Sequence, residues 1–163
     1  MKSLLPVVTI AVLLAGCQTT PFGMVGGSVA PGERIVLPES GQQKGTFETR
    51  DLAVAYRLDR AGGNLNVDGT VHFAEYLRVN FGQIRNFNLG VAFVDAQGKV
   101  VGSRGLANIA WQVISLDGTL PFRTGMQLPP GTTSIAFTYG GEVRSTDSEG
   151  SDNTSIWHFP IQK

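Results

Sequence analysis

From Arg34 onward, hydrophobic and polar residues alternate with a period of two. Leu52, Val54, Tyr56 and Leu58 alternate with Ala53, Ala55 and Arg57. Leu65, Val67, Val71 and Phe73 form a second row, interrupted by Gly69. Further rows are Leu77, Val79 and Phe81; Phe87, Leu89, Val91 and Phe93; Trp111 and Val113; Leu120 and Phe122; Ile135, Phe137 and Tyr139; and Trp157, Phe159 and Ile161. In an extended strand, successive side chains point to opposite faces, so each row predicts one buried face and one solvated face. No stretch predicts an amphipathic helix of three turns.

Turn chemistry separates these rows. Ala61-Gly62-Gly63-Asn64 and Asp95-Ala96-Gln97-Gly98 have hairpin-like lengths. Asp117-Gly118 is another turn, and Pro129-Pro130-Gly131 stops one strand before the next begins. Many short strands with regular turns predict a single all-β domain over residues 33–163. The expected form is an immunoglobulin-like β-sandwich, with a small β-barrel as the alternative. Within "FNLGVAFV", Asn88, Gly90 and Ala92 make the face opposite Phe87–Phe93 small. That pattern suits a central strand under its own loops, or a face that a partner covers.

The N-terminus follows a different rule. Met1-Lys2-Ser3 is a short basic start, and the run from Leu4 to Gly16 is apolar and uncharged. It is too short to cross a bilayer core and fits the apolar region of a secretory signal peptide, placed at 1–16. Cys17, the only cysteine, closes it. Leu14-Ala15-Gly16-Cys17 resembles the lipobox of bacterial lipoproteins. The resemblance implies cleavage between Gly16 and Cys17 and a covalent lipid on Cys17. Stable anchoring requires at least two acyl chains. By the same resemblance, Gln18 in place of Asp implies the outer membrane, with the domain facing the periplasm. Residues 17–32, rich in Gly, Pro, Ser and Thr, are expected to be a lipidated flexible tether.

A second resemblance rests on "LNVDGTVHF", "FNLGVAFVDAQGKVV" and "LPFRTGMQLPPGTTSIAFTYGGEV". These are similar to the domain of poorly characterised envelope lipoproteins and to immunoglobulin-like periplasmic domains. The likeness implies a sandwich and no activity.

Charge narrows the choice of partners. The chain has 13 basic and 13 acidic residues and no basic stripe, so nucleic-acid binding is not expected. Catalytic signatures are missing too. There is no G-x-S-x-G, and His72 and His158 alternate with apolar residues, so both should point away from the core. Two distant histidines make no zinc ligand set, and no cofactor is expected. In "STDSEGSDNTS", Asp147, Glu149 and Asp152 are weak calcium candidates, but their spacing does not match the known loop, and a solvated acidic hairpin is the commoner case. In "EYLRVNFGQIRNF", Tyr76, Arg78 and Arg85 are candidate partner contacts, because aromatic and arginine residues are enriched at interface centres. The arginines equally suit a solubilised strand. The expectation is a non-enzymatic envelope lipoprotein with a structural or protein-binding role. Binding of a small ligand or carbohydrate is the alternative.

Overall fold

A computed structural model describes residues 24–145 and 153–163 of the chain. These residues are almost entirely β-stranded, and every strand pairing among them is antiparallel. One four-stranded sheet has the order β3 (Gly41–Glu48), β4 (Leu52–Ala61), β5 (Asn64–Phe73), β8 (Thr119–Gln127). A five-stranded sheet has the order β10 (Asn153–His158), β9 (Ser134–Arg144), β6 (Gln83–Val94), β7 (Val100–Ser115), with β2 (Ile35–Val36) also pairing with β9. A two-stranded ribbon joins β1 (Ser28–Val29) to β11 (Ile161–Gln162).

The two larger sheets share one core. Leu52, Val54 and Leu58 of β4 and Val67 and Val71 of β5 cluster with Leu89 and Val91 of β6 and with Ile135 and Phe137 of β9. The Phe137 ring lies 5.2 Å from Phe47 and 5.4 Å from Tyr56 on the facing sheet. The β4–β5 hairpin closes on Gly62-Gly63 between the paired Ala61 and Asn64. Gly62 has φ 59°, a left-handed conformation that favours glycine.

Gly69, which interrupts the apolar row of β5, is explained by its neighbours. It is the register partner of both Tyr56 and Phe122. A Cβ there would lie 2.8 Å from Phe122 Cζ and would also strike the Ala55 carbonyl oxygen. Small and large residues alternate across this row, so the Phe122 ring takes the space that a side chain would need.

Strand β6 is central and buried on both faces along its second half. Asn86 sits in the left-handed region with φ 52°, where the register shifts against both neighbours. This bulge inverts the side-chain parity, so Ile84 and Phe87 both face the shared core. On the opposite face, Ala92 and Ala136 are register partners. Their small side chains leave room for the β1–β11 ribbon, which packs Val29 and Ile161 onto them with Val94 and Val100. The β1–β11 ribbon therefore covers the Ala92 end of the face that the sequence leaves small.

Several expectations are corrected. Leu77, Val79 and Phe81 are not a strand row. Glu75–Asn80 is a helix, α1, with Leu77 buried and Val79 75% exposed. Leu77 and Phe81 are four residues apart, a spacing that fits a helix face as well as a strand face. Glu75 in the first turn and Arg78 in the last suit the helix dipole. Val113 points outward from β7. In β10 the parity is opposite to that expected: Ile156 is buried and Trp157 is 69% exposed. The strand stops after His158, ahead of Pro160, which resets the alternation before Ile161. Packed structure also begins upstream of residue 33. Val29 is 1% exposed, its N–H donates to Gly98 O at 2.9 Å, and Arg34 Nε donates to Val29 O at 2.8 Å. Residues 24–32, assigned above to the tether, are thus tied to the domain.

Candidate functional site

The site starts from the short connection between β3 and β4. Thr49 Oγ1 accepts hydrogen bonds from the N–H groups of Asp51 (3.3 Å) and Leu52 (3.2 Å), so the hydroxyl organises the turn locally. The Asp51 carbonyl accepts from Ala74 N–H at 2.8 Å, which ties the turn to the start of α1. Asp51 is thereby fixed between a helix and the sheet edge.

Its carboxylate receives two phenols. Tyr76 of α1 donates to Oδ1, and Tyr139 of β9 donates to Oδ2 at 3.0 Å. Thr49 Oγ1 lies 2.8 Å from Tyr139 Oη and 3.0 Å from Leu52 O. The Tyr139 proton is committed to Asp51, so any hydrogen bond between the two hydroxyls must use the Thr49 proton. Burial is the main cause that pushes the Tyr139 phenol well above its ordinary range. The Asp51 charge and hydrogen bond add to this, and the Thr49 hydrogen bond works against it. Tyr76 is also raised, first by burial and then by its hydrogen bond to Asp51, against the opposing charge of Arg50. The Arg50 guanidinium stands 5.2 Å from the centre of the Tyr76 ring. Both phenols therefore remain protonated donors at neutral pH, and the cluster is a fixed polar support.

Above this support lies a cleft of about 800 Å³. One wall is α1, through Tyr76, Leu77, Asn80 and Phe81, together with the Thr49–Asp51 turn. The other wall is β10, through every residue from Thr154 to His158. His158, expected to point away from the core, points inward instead. Its ring stacks on Tyr139 at 5.8 Å and meets Phe47 edge-on at 5.2 Å. Its Nε2 is 3.4 Å from Glu33 Oε2, within ion-pair range, but the geometry gives no hydrogen bond, and Nε2 has no hydrogen-bond partner among the described residues.

Of the three contact residues proposed from sequence, the cleft takes in Tyr76. Arg78 is exposed on α1 and does not line it. Arg85 pairs with Glu142 at 2.7 Å across β6 and β9. The anchor residues Gly16 and Cys17 and the calcium candidates Asp147, Glu149 and Asp152 lie outside the described residues. Among the described residues, no group of three His, Cys, Asp or Glu side chains is placed to hold a metal ion. Sequence reasoning did not find Thr49, Asp51, Tyr139 and His158 as a group, because strand pairing brings them together from about ninety residues apart. The only local signal was a short polar break between two strand rows.

No protein-family model matches the chain, and no curated protein matches it.

Proposed function

We propose that this chain is a lipid-anchored envelope lipoprotein whose β domain binds a partner protein in the cleft between β10 and α1. In this reading the two large sheets form an immunoglobulin-like sandwich. The covalent lipid on Cys17 holds the domain to the outer membrane, facing the periplasm, and the role is structural or adaptor-like rather than enzymatic. The Leu14–Cys17 motif at the end of an apolar leader supports the anchor. The composition of the cleft carries the binding role. Arg50, Tyr76 and Trp157 line one depression, and Trp157 is largely exposed. Tyr, Trp and Arg dominate binding hot spots, and an exposed tryptophan beside a half-buried, hydrogen-bonded polar support suits an anchor for a partner.

The test is photocrosslinking in living cells, with a photoreactive residue placed at Trp157 or, as a control, at Arg78. The proposal expects one abundant protein adduct from position 157 and little from position 78. Equal labelling from both positions would overturn it. The carbohydrate alternative draws on Asp51 and Asn80 beside Tyr76, a mixture of hydrogen-bonding groups and ring faces. It expects a rise in melting temperature with glycan fragments.

A further inference from the structure

We infer that β10 is an acceptor edge, and that an extended segment of the partner protein adds to it as a further strand in the groove against α1. This rests on the reading of the cleft as the partner site and specifies how the site is used. Strand side chains alternate between faces, so five consecutive residues can line one groove only if it runs along the strand's edge. Sheet order agrees, because β10 pairs with β9 and with no other described strand. The groove therefore presents main-chain donors and acceptors over about 17 Å, and another extended main chain is their complement.

The edges formed by β3, β7 and β8 carry features that discourage such pairing, β2 is only two residues long, and β10 has neither kind of protection. Strand β3 has Lys44, and β8 has Pro121 and Arg123. Strand β7 has Arg104 and three register shifts against β6. These are the devices that keep edges from recruiting strands. From Asn153 to Trp157, β10 has no proline and no charge. Its neighbour is instead the wall formed by α1 and the Thr49–Asp51 turn. Because α1 and the Thr49–Asp51 turn form the facing wall beside the β10 edge, the occupant we infer is a single extended segment of the partner.

The experiment uses the full chain in detergent and a display library of random linear peptides. A selected peptide is resynthesised with methyl groups on alternate backbone nitrogens, in either of the two phases. Strand addition expects one phase to weaken binding about tenfold and the other to leave it unchanged. Thr154→Pro and Ser155→Pro provide the matching change in the protein. Of two adjacent N–H groups, one faces β9 and one faces the groove, so one variant should keep the native melting temperature and lose binding about tenfold. If neither variant folds, amide exchange on the unmodified protein replaces them, and the groove-facing amides of β10 should be protected when peptide is bound. Equal effects of both methylation phases, unchanged binding by the folded proline variant, absent amide protection, or failure to select any peptide would each overturn strand addition. A protein adduct from position 157 in the face of any of these would leave the partner cleft standing, with side chains alone doing the binding. Stabilisation by glycan fragments with no peptide binding would overturn both readings.

Discussion

Tyr139 and His158 are register partners across β9 and β10, and their rings stack at 5.8 Å with 21° between planes. The contact joins the core to the cleft, since Tyr139 also donates to Asp51 and His158 belongs to the groove-lining strand. The core and the cleft are thus linked through one aromatic side chain.

Tyr139→Phe keeps the ring and its stacking but removes the hydroxyl that serves Asp51 and meets Thr49. The expected loss is about 1–3 kcal/mol, because a half-buried carboxylate oxygen loses its donor. Urea denaturation measures it. Adding Asp51→Ala, which removes both acceptor oxygens, should cost less than the two single changes summed, since both remove the Tyr139–Asp51 bond. Strict additivity would contradict the coupling.

The phenols also set an alkaline limit. Tyr139 and Tyr76 are raised in the folded state, so folding favours their protonated forms. That contribution is complete below the unfolded phenol value of about 10 and is lost as pH rises from there through the folded values. The urea midpoint should therefore fall above about pH 10, and Tyr139→Phe should flatten the decline. A variant with an unchanged slope would remove Tyr139 as its cause.

Gly69→Ala places a methyl group against Phe122 and the Ala55 carbonyl. A loss of about 1–3 kcal/mol is expected from overpacking. Gly105→Ala is the control, because a Cβ there meets nothing within 4 Å. Thermal melts of the two variants should separate clearly, and coincident curves would refute the close-packed row.

Val29→Ala tests whether the β1–β11 ribbon belongs to the cooperative fold. Val29 is buried against Ala92 and Ala136, so about 1–3 kcal/mol should be lost in a single transition. No change in the denaturation midpoint would mean that the ribbon opens independently of the core.

Cys17→Ser should give an uncut, unlipidated precursor, visible as slower gel migration and absence of labelled fatty acid. Normal acylation of that variant would end the lipoprotein reading.

How far the sequence is legible can be seen strand by strand. The rows in β4, β5 and β9 match their buried faces; in β4 and β5 no bulge shifts the register, and Gly69 leaves a gap in the β5 row without changing its parity. Strand β10 has only six residues, and its parity was anchored on Trp157, the bulkiest side chain, which faces out. In α1, a four-residue spacing of Leu77 and Phe81 is common to helix and strand, and periodicity alone does not separate them. At the site, Tyr76 was accessible to composition arguments. Asp51 and Tyr139 were not, since their relation depends on which strands pair and not on any local motif.

The β1–β11 pairing sets Ser28 beside Gln162. On the lipoprotein reading, the chain between the anchor Cys17 and Met24, the first described residue, can reach at most about 25 Å. The domain would then hang from the bilayer by a short cord, with its carboxyl-terminal strand at the point of suspension. On that reading, a reporter or affinity tag fused after Lys163 would start on the anchored side of the domain, beside Ser28. For this chain the exposed turn at Asp117-Gly118, which follows the end of β7 opposite the ribbon-packed Val100, is the better place to attach one.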